Sequence, residues 1–547
     1  MGLYSEKNWH VWPAFLLLAL AFVVIYLPWI SPDRELFRQE DLLAVEAMEF
    51  SPRVWVVTAH NVAIKNAAPL FPVAASLLHT WGIPIESALR GISLFMLAAG
   101  AVVVYFAAAS QRSSKAGLVA SAVYLTSLFS MEKAIDGVPT TTSAFFLLSA
   151  QLVFFYYGVR RANWNKAWIL ATILVSLGFL SGGLPVLVYF ITPMFFFRRP
   201  LSVRSKFKKP GFAAAVILLC GVLALLLVPY HIFTEKNPSE FIFNWEYMST
   251  ANYFKDLLEF PFILPLRLLP WSFIAWLPFC VALQTLDKTP IFSRYLRTLT
   301  FVTLLLVWFQ PNSDSRDIFY MLGPLAIQTG TFYELGMRRY GNRIRKFLVL
   351  GEIGSFLLAA AFIVVTFTKE SWLTPFVSLT NTLGFRDTEF FTLFAAISIV
   401  LLLLITIAQR LYRYVHPVWV MLVLVSVSIG IFYGGVMAPY RKQTNHKRQL
   451  SADIQKAIAG EKVSKIYKSG INDLYGELYY TKLKVIKLPT LNDLPAAEET
   501  VYLIGTEFPT TTDRSWSNLL PEDYSYHTHR LSLWKGTLRK KTTEDFL

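Results

Sequence analysis

Apolar residues in this chain come in long runs, each near the thickness of a bilayer core, with short polar connectors between them. The first run, Val11 to Ile30, follows an N-terminus with one Lys and no small-residue cleavage site. It exceeds the length of a signal-peptide core, so the pattern predicts a retained anchor helix. Further runs at about 88–109, 116–131, 141–158, 167–180, 184–198, 211–233, 263–286, 298–310, 318–335, 347–367, 391–409 and 418–437 bring the expected crossings to thirteen.

Charge in the connectors orients the crossings, because short loops rich in Lys and Arg stay in the cytoplasm. Arg160, Arg161 and Lys166 lie in one connector, Arg198, Arg199, Arg204, Lys206, Lys208 and Lys209 in the next, and Arg338, Arg339, Arg343, Arg345 and Lys346 in a third. Alternation puts all three on one side. The N-terminus is then cytoplasmic, and 31–87, 132–140, 234–262, 311–317 and everything after 437 lie on the outer face. The stretch Pro69 to Gly82 is too short to cross and reads as a re-entrant or interfacial helix.

From Arg441 to Leu547 charge and turn residues return and apolar runs shrink to strand length. Ser451 to Ala459 predicts a helix with a Ser N-cap and Lys near its end, while Val463–Tyr467, Lys484–Leu488 and Thr500–Ile504 alternate like strands. The expected organisation is a polytopic α-helical membrane domain over 1–440 and a small soluble α/β domain over 441–547.

Composition agrees with that division. With 54% hydrophobic and only 16% charged residues, the chain is excluded from the soluble globular enzymes, which carry about 25% charged residues. The formal net charge of +15 reflects cytoplasmic connectors, and no nucleic-acid partner is expected. Cys220 and Cys280 both lie in apolar stretches, so neither a disulfide framework nor a thiolate metal site is expected.

Candidate chemistry gathers on the outer face. The loop from Ser31 to Ala68 holds Asp33, Arg34, Glu35, Arg38, Glu40, Asp41, Glu46, Glu49, Arg53, His60 and Lys65. Asp41, Val45, Met48 and Glu49 recur at helical spacing, which predicts an amphipathic helix on the membrane surface; its charges either work or simply face water. Asp136 precedes an apolar span, where a carboxylate is costly unless it is paired or functional; the plainer alternative is a helix cap around Pro139 and Thr140. Arg316 stands at the outer mouth of a span, against the positive-inside tendency. It either grips an anion such as phosphate or pairs with Asp314 or Asp317. His60, His79 and His231 are scattered, no cluster has metal-ligand spacing, and no Gly-x-Ser-x-Gly elbow occurs.

Six segments in order, RQEDLLAVEAMEF, IKNAAPLFPVAASL, the stretch around Asp136, SLGFLSGGLPVLVYF, RLLPWSFIAWLP and SRDIFYMLGPLA, together resemble the lipid-linked-sugar glycosyltransferases of the GT-C fold, above all the bacterial aminoarabinose (lipid A) transferases and their protein O-mannosyltransferase relatives. RQEDLLAVEAMEF resembles the family's Asp-Glu opening of the first outer loop, with Gln39 at the Asp and Glu40 at the Glu. IKNAAPLFPVAASL resembles its Lys-Pro-Pro-Leu segment, with Lys65 kept and the double Pro reduced to Pro69. Asp136 matches a family Asp, and Ser181, Gly182 and Gly183 replace a Thr-Lys-Gly. RLLPWSFIAWLP resembles a Leu-Pro-Trp span, and SRDIFYMLGPLA resembles a segment that puts Arg316 at a basic position and Tyr320 at a Tyr. An outer C-terminal module also belongs to the pattern.

The resemblance implies transfer of a sugar from a polyprenyl-phosphate donor to a lipid, glycan or protein hydroxyl at the periplasmic face of a bacterial inner membrane. No cofactor is implied. Glu40 would be the base, or Asp41 if the loop is shifted by one residue, and Lys65 and Arg316 would bind the donor phosphate with Tyr320 donating a hydrogen bond. Asp136 would orient Lys65 or the acceptor. Some relatives bind a metal at positions that here read Ile64 and Tyr247, beside Glu246, so no metal is expected. Gln39 cannot act as a base, which leaves a catalytically inactive glycan-binding protein as an alternative. A flippase is a third reading, but it calls for charge near the bilayer midplane and repeated halves, and the chain has neither.

Overall fold

The computed structural model describes residues 11–37, 39–50, 56–64, 68–197, 203–234, 250–310, 315–367, 417–444, 446–461, 463–470, 474–488, 490–495, 498–506, 508–509, 513–521, 525–526 and 529–538. The chain forms two compact units that do not follow its linear order. One comprises Met1–Ser31, Arg90–Leu225 and Ile242–Gln443, the other Pro32–Leu89, Leu226–Phe241 and Thr444–Leu547.

The protein is mostly helical. Among the described residues six helices are long and apolar enough to cross a membrane: Val11–Ile30, Ile85–Gln111, Thr140–Arg160, Trp164–Gly182, Pro210–Ile232 and Pro290–Phe309. A seventh is added if Tyr253–Arg267 and Ser272–Phe279, bent by 104° at their junction, count as one span. The run at 391–409 lies outside the described residues.

Several apolar runs take forms that hydropathy does not distinguish. The run at 116–131 becomes a 13-residue helix, Ser114–Thr126, followed after Ser127 by a short helix, Leu128–Lys133. Residues from Ala116 to Thr126 are all buried, as expected of a helix without a polar face. Small residues bring its neighbours close. A Cβ on Gly117 would lie 2.8 Å from the Tyr105 carbonyl oxygen, and one on Gly330 would lie 2.4 Å from that of Ala116. The run at 184–198 is likewise a 13-residue helix, Leu184–Phe196, entered through Gly183 at φ +73°, a left-handed conformation that favours glycine. The two runs at 318–335 and 347–367 join in a single 49-residue helix, Phe319–Phe367, so the basic cluster expected in a connector lies within a helix. Lys and Arg are good helix formers, and a charge cluster marks polarity without breaking the helix.

The second unit joins the segment Pro32–Leu89 to the C-terminal segment. Its sheet has the order β4-β3-β5-β7-β6, with β3 (Lys465–Lys468), β4 (Lys484–Lys487), β5 (Thr500–Gly505), β6 (Arg514–Asn518) and β7 (Ser532–Leu538). β3 pairs in parallel with β4 and β5, and β7 runs antiparallel to β5 and β6. Ile466, Ile504 and Leu533 face one core with Leu450, Ile454 and Leu478 of the helices Lys447–Ala457 and Tyr475–Tyr480. Tyr467, Leu488, Val501 and Leu503 form a second core. The three expected strands are present, each shifted by two residues at most.

The expected Ser451 N-cap is not used. The helix begins at Lys447, and the amides of Lys447 and Arg448 donate to the two carboxylate oxygens of Glu35, both at 3.2 Å. A carboxylate from a distant segment satisfies the open helix end and complements its dipole. The segment Pro32–Leu89 is fastened at further points, with the Leu36 amide donating to Tyr480 Oη at 2.9 Å and the Lys487 amide to the His60 carbonyl at 3.0 Å.

Candidate active site

In the first unit, two candidates from the sequence turn out to be partners. Asp136, in the turn after Leu128–Lys133, meets Arg316, in the 3-10 turn Ser315–Ile318, with Nη2 3.4 Å from Oδ2. Both side chains are buried, 4% and 5% exposed. Pro139 occupies the N-cap of Thr140–Phe154 without a side-chain cap, and Arg316 reaches across the fold to Asp136. Removing two charges from water is expensive unless they meet, which fixes the guanidinium at this position.

One helical turn after Arg316, the Tyr320 hydroxyl hydrogen-bonds with Ser143 Oγ at 2.8 Å, and the Tyr320 ring packs 4.8 Å from that of Tyr189. Gly182 permits this approach. A Cβ there would come within 2.5 Å of Ser143 Cβ and 3.0 Å of the Tyr320 oxygen. Tyr189 Oη in turn donates to Gln310 Oε1 at 2.8 Å. These two residues line a mostly apolar cavity of about 490 Å³ between Leu184–Phe196 and Pro290–Phe309, whose walls include Leu184, Val188, Phe196, Val302, Leu305 and Phe309.

In the second unit Glu40, Asp41 and Glu49 are engaged in structure. The helix expected over this loop is Gln39–Glu49, but its buried face carries Glu40, Ala44, Val45, Glu46 and Ala47, and Met48 is half exposed. It packs against both Leu70–Thr80 and Tyr475–Tyr480, so more than one face is covered and the simple amphipathic pattern is lost. Glu40 is fully buried and accepts from Arg34 Nη2 at 2.9 Å and from the Phe37 amide at 3.0 Å. Asp41 Oδ2 accepts from Lys447 Nζ, which also donates to the Leu36 carbonyl at 3.0 Å. Burial raises the Asp41 carboxyl to about 6, against the opposing pull of Lys447. Its Oδ1 is buried without a hydrogen bond among the described residues. Glu46 is 4% exposed, and burial raises its carboxyl to about 8.

Glu49 closes a small hairpin, β1 (Thr58–Ala59) with β2 (Val62–Ala63), whose tip residues His60 and Asn61 both have positive φ. Its carboxylate accepts from Thr58 Oγ1 at 3.1 Å and from the amides of His60 and Asn61 at 2.8 and 3.1 Å. The His60 ring stacks on Tyr475 at 4.9 Å; burial first, then Lys468 and Lys487, lower its imidazole to about 3.

Thus Asp136, Arg316 and Tyr320 stand within one unit, and Glu40 and Asp41 within the other. Lys65, Asp314, Glu246 and Tyr247 lie outside the described residues. Sequence reasoning did not find Ser143, Tyr189 and Gln310, which carry no motif, or Lys447 and Gly476, which meet Asp41 only through the tertiary fold. Among the described residues no three His, Cys, Asp or Glu side chains form a group able to hold a metal ion.

No protein-family model matches the sequence. No curated protein matches it by sequence either. Solved structures do match. ArnT from Cupriavidus metallidurans in the apo state aligns with a TM-score of 0.63 at 15% identity, over 95% of this chain and 97% of that one. ArnT from the same organism bound to undecaprenyl phosphate aligns with a TM-score of 0.62 at 16% identity, over 96% and 98%. The protein is a membrane protein with the ArnT-like GT-C fold and a small sheet region toward its C-terminus.

Proposed function

We propose that this protein is a glycosyltransferase that moves a sugar from a polyprenyl-phosphate carrier to an acceptor hydroxyl at the outer face of a bacterial inner membrane. The observation that carries the reading is the buried Asp136–Arg316 pair beside Tyr320, held on the ArnT-like fold. Arg316 binds the donor phosphate and stabilises it as it leaves, with Asp136 fixing the guanidinium; Tyr320 and Lys65 complete the phosphate contacts. The prenyl chain lies in the cavity walled by Val188 and Leu305. That ArnT has been seen with undecaprenyl phosphate supports a carrier of this class.

Of the two loop carboxylates, Asp41 is the better base. Glu40 has both oxygens occupied by Arg34 and the Phe37 amide, whereas Asp41 keeps Oδ1 without a partner among the described residues. A carboxyl near 6 is mostly ionised at pH 7 yet more basic than a free aspartate, which suits proton abstraction. Residues 441–547 contribute to a soluble domain on the periplasmic side of a multi-pass protein with a cytoplasmic N-terminus. The acceptor is a lipid, a glycan or a protein.

The test is release of labelled polyprenyl phosphate from lipid-linked sugars by purified protein. Wild type and Glu40→Gln that folds should turn over, while Asp41→Asn and Arg316→Met should each lose roughly a hundredfold or more. Turnover unchanged in both losing variants would remove the assigned roles.

A further inference from the structure

Asp41 is held by residues more than 400 positions away in the chain. Lys447 heads the helix Lys447–Ala457, and its ammonium bridges the Leu36 carbonyl and Asp41 Oδ2 with side-chain exposures of 10% and 14% for the charged pair. Glu35 receives the Lys447 and Arg448 amides, so the lysine backbone is fastened to the same outer segment that carries Asp41. The second holder is Gly476, in the first turn of Tyr475–Tyr480. A Cβ at this glycine would lie 2.4 Å from Asp41 Oδ1 and 2.9 Å from Lys447 Cδ, so any side chain would push the carboxylate off its position. Glycine costs a helix about 1 kcal/mol relative to alanine, and here its lack of a side chain permits the contact.

Asp41 Oδ1 accepts no hydrogen bond among the described residues although it is buried. A buried acceptor without a donor is unfavourable, and a hydroxyl donated by a bound molecule would satisfy it. We propose that Lys447 and Gly476 are positioning residues for sugar transfer, the lysine holding Asp41 by Oδ2 and keeping it ionised while Oδ1 receives the acceptor hydroxyl. The proposal rests on the transfer reading above. In the step it serves, the acceptor O–H proton passes to Oδ1 and the acceptor oxygen bonds to the anomeric carbon. The bond from that carbon to the phosphate oxygen breaks, and its electron pair leaves with the polyprenyl phosphate. The C-terminal segment is then part of the catalytic apparatus.

Groups besides Lys447 bear on the Asp41 charge. Glu477, from Tyr475–Tyr480, and Glu40, from its own helix, oppose ionisation, and Tyr526 donates to Glu477 at 2.9 Å beside it. The helix Leu70–Thr80 carries one titratable residue, His79, which is exposed, and the β1–β2 hairpin carries His60 and Asn61 at its tip. Lys447 is the cation that lowers the Asp41 carboxyl.

The experiment is a carbon-13 titration of aspartate carboxyls in the full-length protein in nanodiscs, with the Asp41 signal assigned by its absence in Asp41→Asn, read beside the pH profile of transfer. In Lys447→Met the Asp41 midpoint should rise by a unit or more. The acidic limb of kcat should move with it, a loss of about twofold at pH 7 that approaches tenfold by pH 5, since one unit is a tenfold change in protonation ratio. Lys447→Arg should restore both. Lys447→Gln, which can still donate to the Leu36 carbonyl, serves if the Met variant does not fold. Gly476→Ala should lower kcat with little change in donor KM. A midpoint and limb that stay in place in the lysine variants overturn this proposal alone. Wild-type protein that leaves lipid-linked sugars intact contradicts the transfer reading itself.

Discussion

Asp136 and Arg316, 180 positions apart, meet side chain to side chain at 3.4 Å in a setting where neither is more than 5% exposed. Such a pair is hard to alter one member at a time, because removing either charge takes a buried partner of opposite charge from the other. Arg316→Met should therefore destabilise the protein by about 3–5 kcal/mol, and Asp136→Asn by a similar amount. The double variant should recover part of that loss. Thermal unfolding in detergent across the four proteins of this cycle measures the coupling; strict additivity would show that the two charges do not depend on each other.

How much of this was legible beforehand differs residue by residue. Asp136 and Arg316 each stood out because a charge beside an apolar span is costly, and burial is what makes that signal visible in a sequence. Their partnership was hidden, since local alternatives at Pro139 and Asp317 were available to each. Long apolar runs such as Val11–Ile30 and Pro210–Ile232 follow directly from hydropathy. Runs such as 116–131 and 184–198 do not, because their small residues and Gly183 shape packing and turns that a hydropathy window averages away. The three parallel-paired strands were readable from alternation. The capping of Lys447–Ala457 by Glu35 was not, because no local rule joins residues more than 400 positions apart.

Glu46 makes stability depend on pH. Its carboxyl rises from 4.5 in the unfolded chain to about 8 when folded, because burial disfavours the charge. The folded state thus holds a proton that the unfolded state has released. Relative stability from this group is full below pH 4.5, falls as pH rises from there, and is lost above about 8. Glu46→Met, similar in length but without the carboxyl, should flatten that slope and raise stability at pH 7 by roughly 3 kcal/mol at most. Melting temperatures at pH 5, 7 and 8.5 check this, and a wild-type slope that survives the substitution would place its origin in another group.

The cavity between Leu184–Phe196 and Pro290–Phe309 should be felt through the donor's lipid chain. Filling it with Val188→Trp should raise KM for a long-chain polyprenyl-phosphate sugar about tenfold or more while sparing a donor with a two-isoprene chain. Equal effects on both donors would separate the cavity from lipid binding.

Gly182 sets the spacing at Tyr320. Gly182→Ala would put a methyl group 2.5 Å from Ser143 Cβ, so the two helices must separate, at a cost of about 1–3 kcal/mol. The Tyr320–Ser143 hydrogen bond should be lost with it. Ser143→Gly, which removes the obstructing atoms, should restore stability to the double variant, and failure to do so would show that the strain is relieved elsewhere.

Phosphorus NMR of wild-type protein in nanodiscs, supplied with a polyprenyl-phosphate sugar and a hydroxyl acceptor from the bacterial envelope, reads the proposed chemistry without a label on either product. The account predicts that the phosphodiester signal of the donor gives way to the monoester signal of free polyprenyl phosphate, and that Arg316→Met abolishes the conversion. A donor that binds, broadens its signal and remains a diester across a panel of sugars and acceptors would contradict it.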